Sequence, residues 1–407
     1  MKILLIANVG TASNNFYHVG DEAMFLETYN WYQKHHPKYK LSVLTSQSNH
    51  SNLKVLEIVS PIEFQFINKR TIFKLILKLK INNIFKINLL TYKEKYLVSI
   101  IKKNDRIHFC GGGNINSLFS GWLYYSLLII KISTILNREI VLTSQTMGPF
   151  NFIDKLLAFS ILNKVEIIAV RGHTDTLKNI GIISPKIFNM LDAAYKLPIY
   201  TNKSLPKKKN FRIGLSLHEW KNSEKFFEAL IASLEKISET NSIEIVLIPH
   251  VLVNDDNQWD MGFMSKLFSV HSSKIKIIKQ KTSHILSSKP EPAYYIKKLT
   301  GTVDLLISTR YHGLIFALSQ NIPVLTYTSD TYYSDKNTNA LKFYYPNNFN
   351  KYSISSQNIN LKPTLTTTIR SIIKNNIQEK QNIKKINSKL LIKYDLFKKN
   401  LNHKILD

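Results

Sequence analysis

The chain has a single cysteine, Cys110, among 407 residues. One cysteine excludes an intramolecular disulfide framework and a zinc site built from cysteine ligands, and it fits a reducing compartment. The sequence also lacks the apolar core of a signal peptide, because polar residues follow the first short apolar run, which we interpret as a β-strand. No uncharged apolar run has the length of a transmembrane helix. We therefore predict a cytoplasmic protein, with a peripheral position at the inner face of the plasma membrane as a second possibility.

Acidic residues are also scarce: 28 Asp and Glu stand against 55 Lys and Arg, for a formal net charge of +27. Such a charge raises the hypothesis of nucleic-acid binding. The lysines are scattered along the chain, however, and they are not interleaved with aromatic residues in one short module. We predict no nucleic-acid partner, and we expect the charge to attract anionic small substrates, acidic glycans or a lipid surface.

One basic and apolar stretch follows residue 60. Ile72, Leu75 and Leu79 recur there at helical spacing, while Lys74 and Lys78 lie on another face. The favoured interpretation is a solvated helix packed on its domain. The alternative is a helix lying on an anionic membrane surface, which is the possible membrane contact of this protein.

Apolar strand patterns alternate with helical patterns along the chain, and this rhythm is typical of α/β folds with parallel sheets. Strands are predicted at residues 2–7, 41–44, 106–110, 139–144, 167–170, 211–217, 243–248, 305–307 and 324–325. The polar, basic stretch 201–210 predicts a linker. The expected architecture is two Rossmann-like α/β domains with a cleft between them. The predicted ranges are an N-terminal domain at 1–200, on the acceptor side, a C-terminal domain at 211–368, and a basic helical tail at 369–407.

A polar junction follows the strand at 305–307. Arg310 and His312 stand there, and Gly313 is expected to open a helix at 314–319. Helix amino ends favour anions, and open α/β sheets usually bind ligands at the carboxyl edge of their strands. An arginine supplies a permanent cation and a histidine supplies a titratable group. The junction predicts an anion site with its own proton donor. Taken alone, however, the pair is equally well explained by an arginine that caps a helix and a histidine that packs in its first turn.

Other strand ends carry similar signals. Gly20 opens the first helix together with Asp21 and Glu22, and Arg171 stands where another strand becomes a helix. The spacing does not match the G-x-G-x-x-G fingerprint, so no dinucleotide cofactor is predicted. Asp21 and Glu22 can equally be surface acids that complement the helix dipole. The glycines at 111–113 permit close approach of the backbone to a ligand.

Six motifs occur in one order along the chain: Val19-Gly-Asp-Glu-Ala23, Cys110-Gly-Gly-Gly-Asn114, Gln145-Thr-Met-Gly-Pro149, Ala169-Val-Arg-Gly172, Asp192-Ala-Ala-Tyr195 and Ser308-Thr-Arg-Tyr-His-Gly313. Together they resemble the polysaccharide pyruvyl transferase family over most of the chain. The resemblance implies an architecture like that of GT-B glycosyltransferases. It implies phosphoenolpyruvate as the donor, and a product sugar that carries pyruvate as a cyclic ketal in an exopolysaccharide, a capsule or a lipid-linked precursor.

The resemblance also implies that Arg171, Arg310 and His312 bind the donor. From the chemistry, we expect His312 to be the general acid that protonates the enol carbon. This reaction requires no cofactor and no metal. The remaining predicted substrate-binding residues are Gly20, Asp21, Glu22, Gly112, Gly113, Asn114, Gln145, His218, Gly313 and Lys336.

The chain departs from the family pattern at Leu217-His218-Glu219-Trp220, where members often carry an arginine. The acceptor-side candidates are His218, His250, Asp255 and Asp256, although the favoured interpretation of each is an ordinary polar loop residue. The acceptor sugar, its lipid or nucleotide carrier and the oligomeric state stay open. Two rival functions also stay open: a GT-B glycosyltransferase that uses a nucleotide sugar, and a non-catalytic scaffold of a glycan assembly complex.

Overall fold

The computed structural model describes residues 1–7, 9, 17–45, 57–59, 68–85, 88–172, 175–182, 187–199, 210–221, 223–269 and 275–406. The chain forms two compact units. The first comprises Met1–Ser13 and Met24–Ala193, and the second comprises Asn14–Ala23 and Ala194–Asp407. The predicted linker at 201–210 lies outside the described residues except for Asn210, so the domain boundary stays a prediction.

The described strands are β1 (Lys2–Ile6), β2 (Tyr17–His18), β3 (Lys40–Leu44), β4 (Glu57–Val59), β5 (Arg106–Phe109), β6 (Gly112–Ile115), β7 (Glu139–Met147), β8 (Ile167–Val170), β9 (Ile187–Asn189), β10 (Phe211–Ser216), β11 (Ile243–Leu247), β12 (Val251–Leu252), β13 (Lys276–Ile278), β14 (Leu305–Ser308), β15 (Val324–Thr328) and β16 (Ser353–Ser355). The described α-helices are α1 (Val19–His35), α2 (Lys69–Phe85), α3 (Tyr92–Lys103), α4 (Ser120–Ile135), α5 (Phe152–Leu162), α6 (Asp175–Asn179), α7 (Glu224–Ser238), α8 (Trp259–Ser269), α9 (Thr282–Leu286), α10 (Pro292–Thr300), α11 (Tyr311–Ser319), α12 (Thr331–Tyr344), α13 (Leu361–Lys374) and α14 (Asn376–Leu406). Every strand predicted from the sequence is present, with small differences in its ends.

The first unit is built on a parallel sheet with the strand order β4-β3-β1-β5-β7-β8-β9, and β6 pairs with β7. Leu4 of β1 stands opposite Ser42 of β3 on one side and opposite Ile107 of β5 on the other. The chain order therefore reverses between β1 and β5. In open parallel sheets, such a reversal leaves a crevice at the carboxyl ends of the two strands, where ligands bind.

Helix α4 is the central helix of the first unit's core, and its Leu123, Leu127 and Ile130 are fully buried. Among the described residues, one helical stretch, Ser117–Ile135, has the length and apolar composition of a membrane span. Lys131 interrupts its apolar run, so the sequence criterion of an uncharged run excludes this stretch. In the protein, 56% of its apolar window is buried, and buried core helices share this composition.

Helix α2 confirms the helical pattern predicted after residue 60. Ile72, Leu75 and Leu79 are buried in the core of the first unit, and Lys74 is exposed. Lys78 forms a salt bridge with Glu94 of α3, with 2.9 Å between the ammonium and carboxylate atoms.

The second unit is built on a sheet with the order β13-β11-β10-β14-β15-β16, and all of its paired strands are parallel. Its chain order reverses between β10 and β14, so a second crevice is expected at the carboxyl ends of these strands. The short strand β2 belongs to this unit, because it pairs antiparallel with β12 and places His18 opposite Val251. The unit also includes α14, whose Ile383, Tyr394 and Leu401 are buried.

Candidate functional site

The junction predicted from the sequence lies at the carboxyl end of β14, beside the reversal of strand order in the second unit. Helix α11 begins at Tyr311, so the prediction that it starts after Gly313 is wrong by one turn. Arg310 is its N-cap residue, with φ −86° and ψ 127°, and its N–H donates to the Ser308 hydroxyl at 3.0 Å. This turn-closing hydrogen bond lets the helix start at once, and it places His312 and Gly313 in the first helical turn.

Arg310 is held by Asp260, a buried carboxylate in the first turn of α8. The Arg310 Nε donates to Asp260 Oδ2 at 3.1 Å, and its Nη2 donates to Oδ1. Asp260 Oδ2 also accepts the backbone N–H groups of His250 and Val251, each at 3.0 Å. Burial raises the pKa of Asp260, but Arg310 and these donors outweigh that effect and hold its pKa below the ordinary value. Asp260 thus fixes the guanidinium, while 19% of the Arg310 side chain stays exposed.

His312 packs against the backbone of Gly20, in the first turn of α1. A Cβ atom built on Gly20 would lie 1.8 Å from His312 Nδ1, so only glycine admits the imidazole at this position. Burial lowers the pKa of His18, and the neighbouring Asp21 carboxylate opposes that shift. The structure thus brings together five predicted site residues from two distant parts of the sequence, at the amino ends of α1 and α11: Gly20, Asp21, Arg310, His312 and Gly313.

Two buried histidines frame this group. Burial lowers the pKa of His250 to about 3, and its Nδ1 lies 2.8 Å from the Ser216 hydroxyl. Burial and the Arg310 charge lower the pKa of His218 well below its usual range. Both ring nitrogens of His218 have partners: Thr309 Oγ1 lies at 2.7 Å and the Tyr333 hydroxyl at 3.0 Å. These neutral imidazoles organise the carboxyl ends of β10 and β14, and a substrate contact of His218 stays a prediction.

Lys336 lies beside the same helix end. Its ammonium is 5.4 Å from the centre of the Tyr311 ring, a cation–π distance. The acceptor-side candidates Asp255 and Asp256 both accept hydrogen bonds from the backbone, Asp255 within its own loop and Asp256 from the start of α9. Asp256 accepts the Thr282 N–H at 2.6 Å, and Asp255 accepts the Asn257 N–H at 2.9 Å.

Glu22 has a different environment from its neighbour Asp21. It is fully buried, accepts the Tyr17 hydroxyl, and accepts the Ala293 N–H at 2.7 Å. It therefore satisfies a backbone donor at the start of α10. Burial raises the pKa of Glu22 to about 8. These contacts give Glu22 a structural position, and they do not support its predicted contact with substrate.

Arg171 is buried at the carboxyl edge of the first unit's sheet. Its Nη1 donates to the buried carboxylate of Asp192, and its Nε donates to Thr146 Oγ1 at 2.9 Å. The charge of Arg171 is thus compensated within the first unit. A donor contact of Arg171 stays a prediction.

The first unit also has a pocket at the crevice between β1 and β5. Three of the predicted substrate-binding residues line it, Gly112, Asn114 and Gln145, together with Trp122. Gly113 is absent from this lining, and its carbonyl accepts a hydrogen bond from Asn116 at 2.5 Å. The described part of the pocket lining carries no charged side chain, which suits an uncharged group such as a sugar ring.

Asp260 is the residue that sequence reasoning missed. A single acid in the first turn of a helix is a common complement to the helix dipole, so its sequence position carries no signal of an ion pair with Arg310. Within the described ranges, no group of three or more His, Cys, Asp or Glu side chains is placed to hold a metal ion.

The profile of the family described as "Polysaccharide pyruvyl transferase" matches residues 18–331. The chain belongs to the polysaccharide pyruvyl transferase family. The match includes both helix ends of the site in the second unit, and the family description is that of a transferase acting on polysaccharide. No curated protein shows significant sequence similarity to this family member.

Solved structures with the same fold include a glycosyltransferase from Rickettsia africae, with a TM-score of 0.57, 14% identity and coverage of 98% of each chain. The HepE protein of Anabaena, solved with UDP and glucose, has a TM-score of 0.57 and 12% identity, and covers 99% of this chain and 100% of its own. MnaA of S. aureus, solved with UDP, has the same TM-score and identity, with 97% and 96% coverage. At this identity the likeness concerns the fold alone. This pyruvyl transferase family member has the two-domain α/β fold of GT-B glycosyltransferases.

Proposed function

We propose that this protein transfers pyruvate from phosphoenolpyruvate to a saccharide as a cyclic ketal and releases phosphate. The reaction belongs to surface polysaccharide biosynthesis, and we place it in the cytoplasm. The observation that carries the proposal is the arrangement of Arg310 and His312 at the amino end of α11: Asp260 holds the guanidinium, and the imidazole packs on Gly20.

Phosphoenolpyruvate carries a carboxylate and a phosphate close together, so its site must supply several donors over a short distance. The Arg310 guanidinium can bond either anion through two parallel N–H groups. Each charge-assisted hydrogen bond contributes about 1.5–3 kcal/mol. The amino ends of α1 and α11 add partial positive charge, and the Lys336 ammonium lies beside Tyr311. We assign the donor anions to this group.

In the proposed mechanism, His312 donates a proton to the methylene carbon of the donor. An oxocarbenium forms at C2, and a first sugar hydroxyl attacks it as its proton passes to solvent. Phosphate then leaves with its bonding electron pair, and a second hydroxyl closes the ketal as its proton passes to solvent or phosphate. General acid catalysis of this kind contributes about 10²–10⁴-fold in rate.

Thermal unfolding with phosphoenolpyruvate, with UDP and with neither tests the donor assignment. A ligand that binds only the folded state adds about 2.7 kcal/mol at a hundredfold excess over its Kd. We expect stabilisation by phosphoenolpyruvate, its loss in Arg310→Ala, and a smaller loss in Arg171→Ala, because Asp192 already compensates the Arg171 charge. Stabilisation by phosphoenolpyruvate that survives in Arg310→Ala would refute the assignment.

The second candidate is a GT-B glycosyltransferase that uses a nucleotide sugar. The observation that supports this candidate is the fold shared with UDP-bound proteins such as HepE. It predicts stabilisation by UDP and none by phosphoenolpyruvate. A non-catalytic scaffold predicts stabilisation by neither ligand, together with no phosphate release from phosphoenolpyruvate in the presence of saccharide acceptors.

A further inference from the structure

The first unit exposes large apolar side chains along one face of α5. Phe152, Ile153 and Leu156 are exposed, Phe152 at 76%, while Leu157 and Ile161 on the opposite face are buried. Residues four apart lie on the same side of a helix, so Phe152 and Leu156 form a continuous stripe. Contiguous exposed apolar patches mark surfaces that interact with a partner or a membrane.

A second exposed stripe lies on α2, where Phe73 and Leu77 are also four residues apart and Phe73 is 60% exposed. The two helices meet at Asp154, the third residue of α5. The Lys69 ammonium lies 3.2 Å from Asp154 Oδ1, and the Ser117 hydroxyl donates to Oδ2 at 2.7 Å.

The exposed Leu118 follows Ser117 directly in the chain. We group the exposed apolar side chains of these neighbouring elements under the name apolar surface, defined by Phe73, Leu77, Leu118, Phe152, Ile153 and Leu156.

Basic residues border the apolar surface. Helix α2 contains five basic residues and no acidic residue: Lys69, Arg70, Lys74, Lys78 and Lys80. Arg70, Lys74 and Lys80 are exposed, and so is Lys155 on α5. Apolar side chains flanked by Lys and Arg are the composition of helices that lie in the headgroup region of anionic bilayers. A second copy of the chain is a poor occupant, because it would bring two basic α2 helices together.

We propose that the apolar surface and the basic residues of α2 dock the first unit on an anionic lipid membrane. The docking itself is independent of the reaction. Together with the proposed function, it assigns the acceptor to the lipid-linked class of saccharides, since such acceptors are presented at that membrane.

Co-sedimentation with lipid vesicles tests the docking without any substrate. The full-length protein is mixed with vesicles of phosphatidylcholine alone or with added phosphatidylglycerol, at about 0.1 M and about 1 M NaCl, where the Debye length falls from ~10 to ~3 Å. We expect binding to the anionic vesicles and weaker binding at high salt. Neutralising Arg70 and Lys74 in R70Q/K74Q should weaken it by about fivefold per residue. The variant F152S/L156S should lose about tenfold or more at both salt concentrations.

The long helix α14 of the second unit offers matched controls. Ile377 and Ile392 are exposed apolar residues, and Lys389 and Lys393 are exposed basic residues. The variants I377S/I392S and K389Q/K393Q should bind vesicles like the wild type. Controls that lose as much binding as the α2 and α5 variants would overturn the docking surface, as would equal binding to neutral vesicles or no binding at all. Self-association that F152S/L156S abolishes, without vesicle binding, would assign the surface to a second copy instead.

The acceptor class has its own readout. Phosphate release from phosphoenolpyruvate is compared for UDP-linked sugars in solution and for polyprenyl-diphosphate-linked saccharide in anionic vesicles. Turnover with the vesicle-borne acceptor that falls in F152S/L156S supports the assignment. Equal turnover of the soluble UDP-linked sugar by the wild type and by F152S/L156S would contradict the assignment of a lipid-linked acceptor. The thermal shift with phosphoenolpyruvate distinguishes that outcome from failure of the proposed function.

Discussion

Arg310 and His312 lie at the amino end of one helix, and we propose separable tasks for their side chains. In the proposed reaction the arginine binds the donor and the histidine moves a proton. Replacing His312 by Gln keeps a hydrogen-bonding side chain of similar reach but removes the titratable donor. We expect His312→Gln to lower kcat by about 10²–10⁴-fold while stabilisation by phosphoenolpyruvate persists. Phosphate release and thermal unfolding measure the two effects, and near-normal turnover would remove His312 from the mechanism.

Asp260 contacts Arg310, so in the proposed reaction we regard it as a positioning residue. Asp260→Asn retains an acceptor for the backbone N–H groups of His250 and Val251 but removes the charge that pairs with Arg310. Breaking a buried ion pair costs about 3–5 kcal/mol, which we take as an upper bound because Arg310 is partly exposed. We expect a raised KM for phosphoenolpyruvate with a smaller change in kcat.

Steady-state kinetics at a temperature below the variant's Tm separate this effect from unfolding. Glu224→Gln is the control, because Glu224 is an exposed acid in the first turn of α7. An Asp260→Asn enzyme with unchanged KM would show that Asp260 serves stability alone.

At the scale of elements, the close approach of α1 and α11 depends on Gly20. Gly→Ala inside a helix ordinarily stabilises by about 0.5–1 kcal/mol, but here the added methyl would meet His312 Nδ1 at 1.8 Å. We expect Gly20→Ala to displace the imidazole, lower turnover and reduce stability. The double variant G20A/H312A removes the clash, so a double-mutant cycle should show strong non-additivity in thermal stability. Additive effects would mean that the imidazole does not occupy this position.

Glu22 links α1 to the amino end of α10 and makes stability depend on pH. Its folded-state pKa of about 8 lies above the ordinary value of 4.5. The folded protein therefore holds a proton that the unfolded chain releases, and the contribution of Glu22 to stability is lost as pH rises from 4.5 through 8. We expect Glu22→Gln to flatten the fall of Tm between these pH values, with Glu224→Gln as the unaffected control. A wild-type slope that Glu22→Gln leaves unchanged would contradict this assignment.

Two elements, the first turn of α11 and the strand β2, are not predicted by the local sequence pattern. The sequence predicts the strand and the body of the helix at the junction of β14 and α11, but it assigns the first turn of α11 to a loop, because Arg310, His312 and Gly313 show no apolar periodicity. The sequence also assigns the strand β2 to a polar loop, for a related reason. Its two residues, Tyr17 and His18, pair with β12 over two hundred residues away, and no local pattern encodes such a partner.

At the scale of the whole molecule, α14 completes the second unit. The sequence predicts a basic helical tail at 369–407, and the structure buries Ile383, Tyr394, Phe397 and Leu401 of that segment. Each buried apolar side chain contributes about 1.5–3 kcal/mol, against a total stability of about 5–15 kcal/mol for a typical domain. We expect truncation before Asn376 to yield insoluble or unfolded protein. A soluble truncated chain with a cooperative melting transition would show that the helix is dispensable.

The local patterns of this sequence determined the α/β class, the inner strands of both sheets and the family, because apolar period and motif order are properties of neighbouring residues. The strands β4, β6, β9, β13 and β16 were not predicted. The local patterns also located Gly20, Arg310 and His312 as candidates. Only the tertiary structure decided which candidates meet. It brought Gly20 against His312 and paired Arg310 with Asp260. It also buried Glu22 at the amino end of α10. Those outcomes depend on contacts between residues far apart in the chain. Such contacts form because the strand order of the second unit brings the carboxyl ends of its parallel strands to one edge of the sheet.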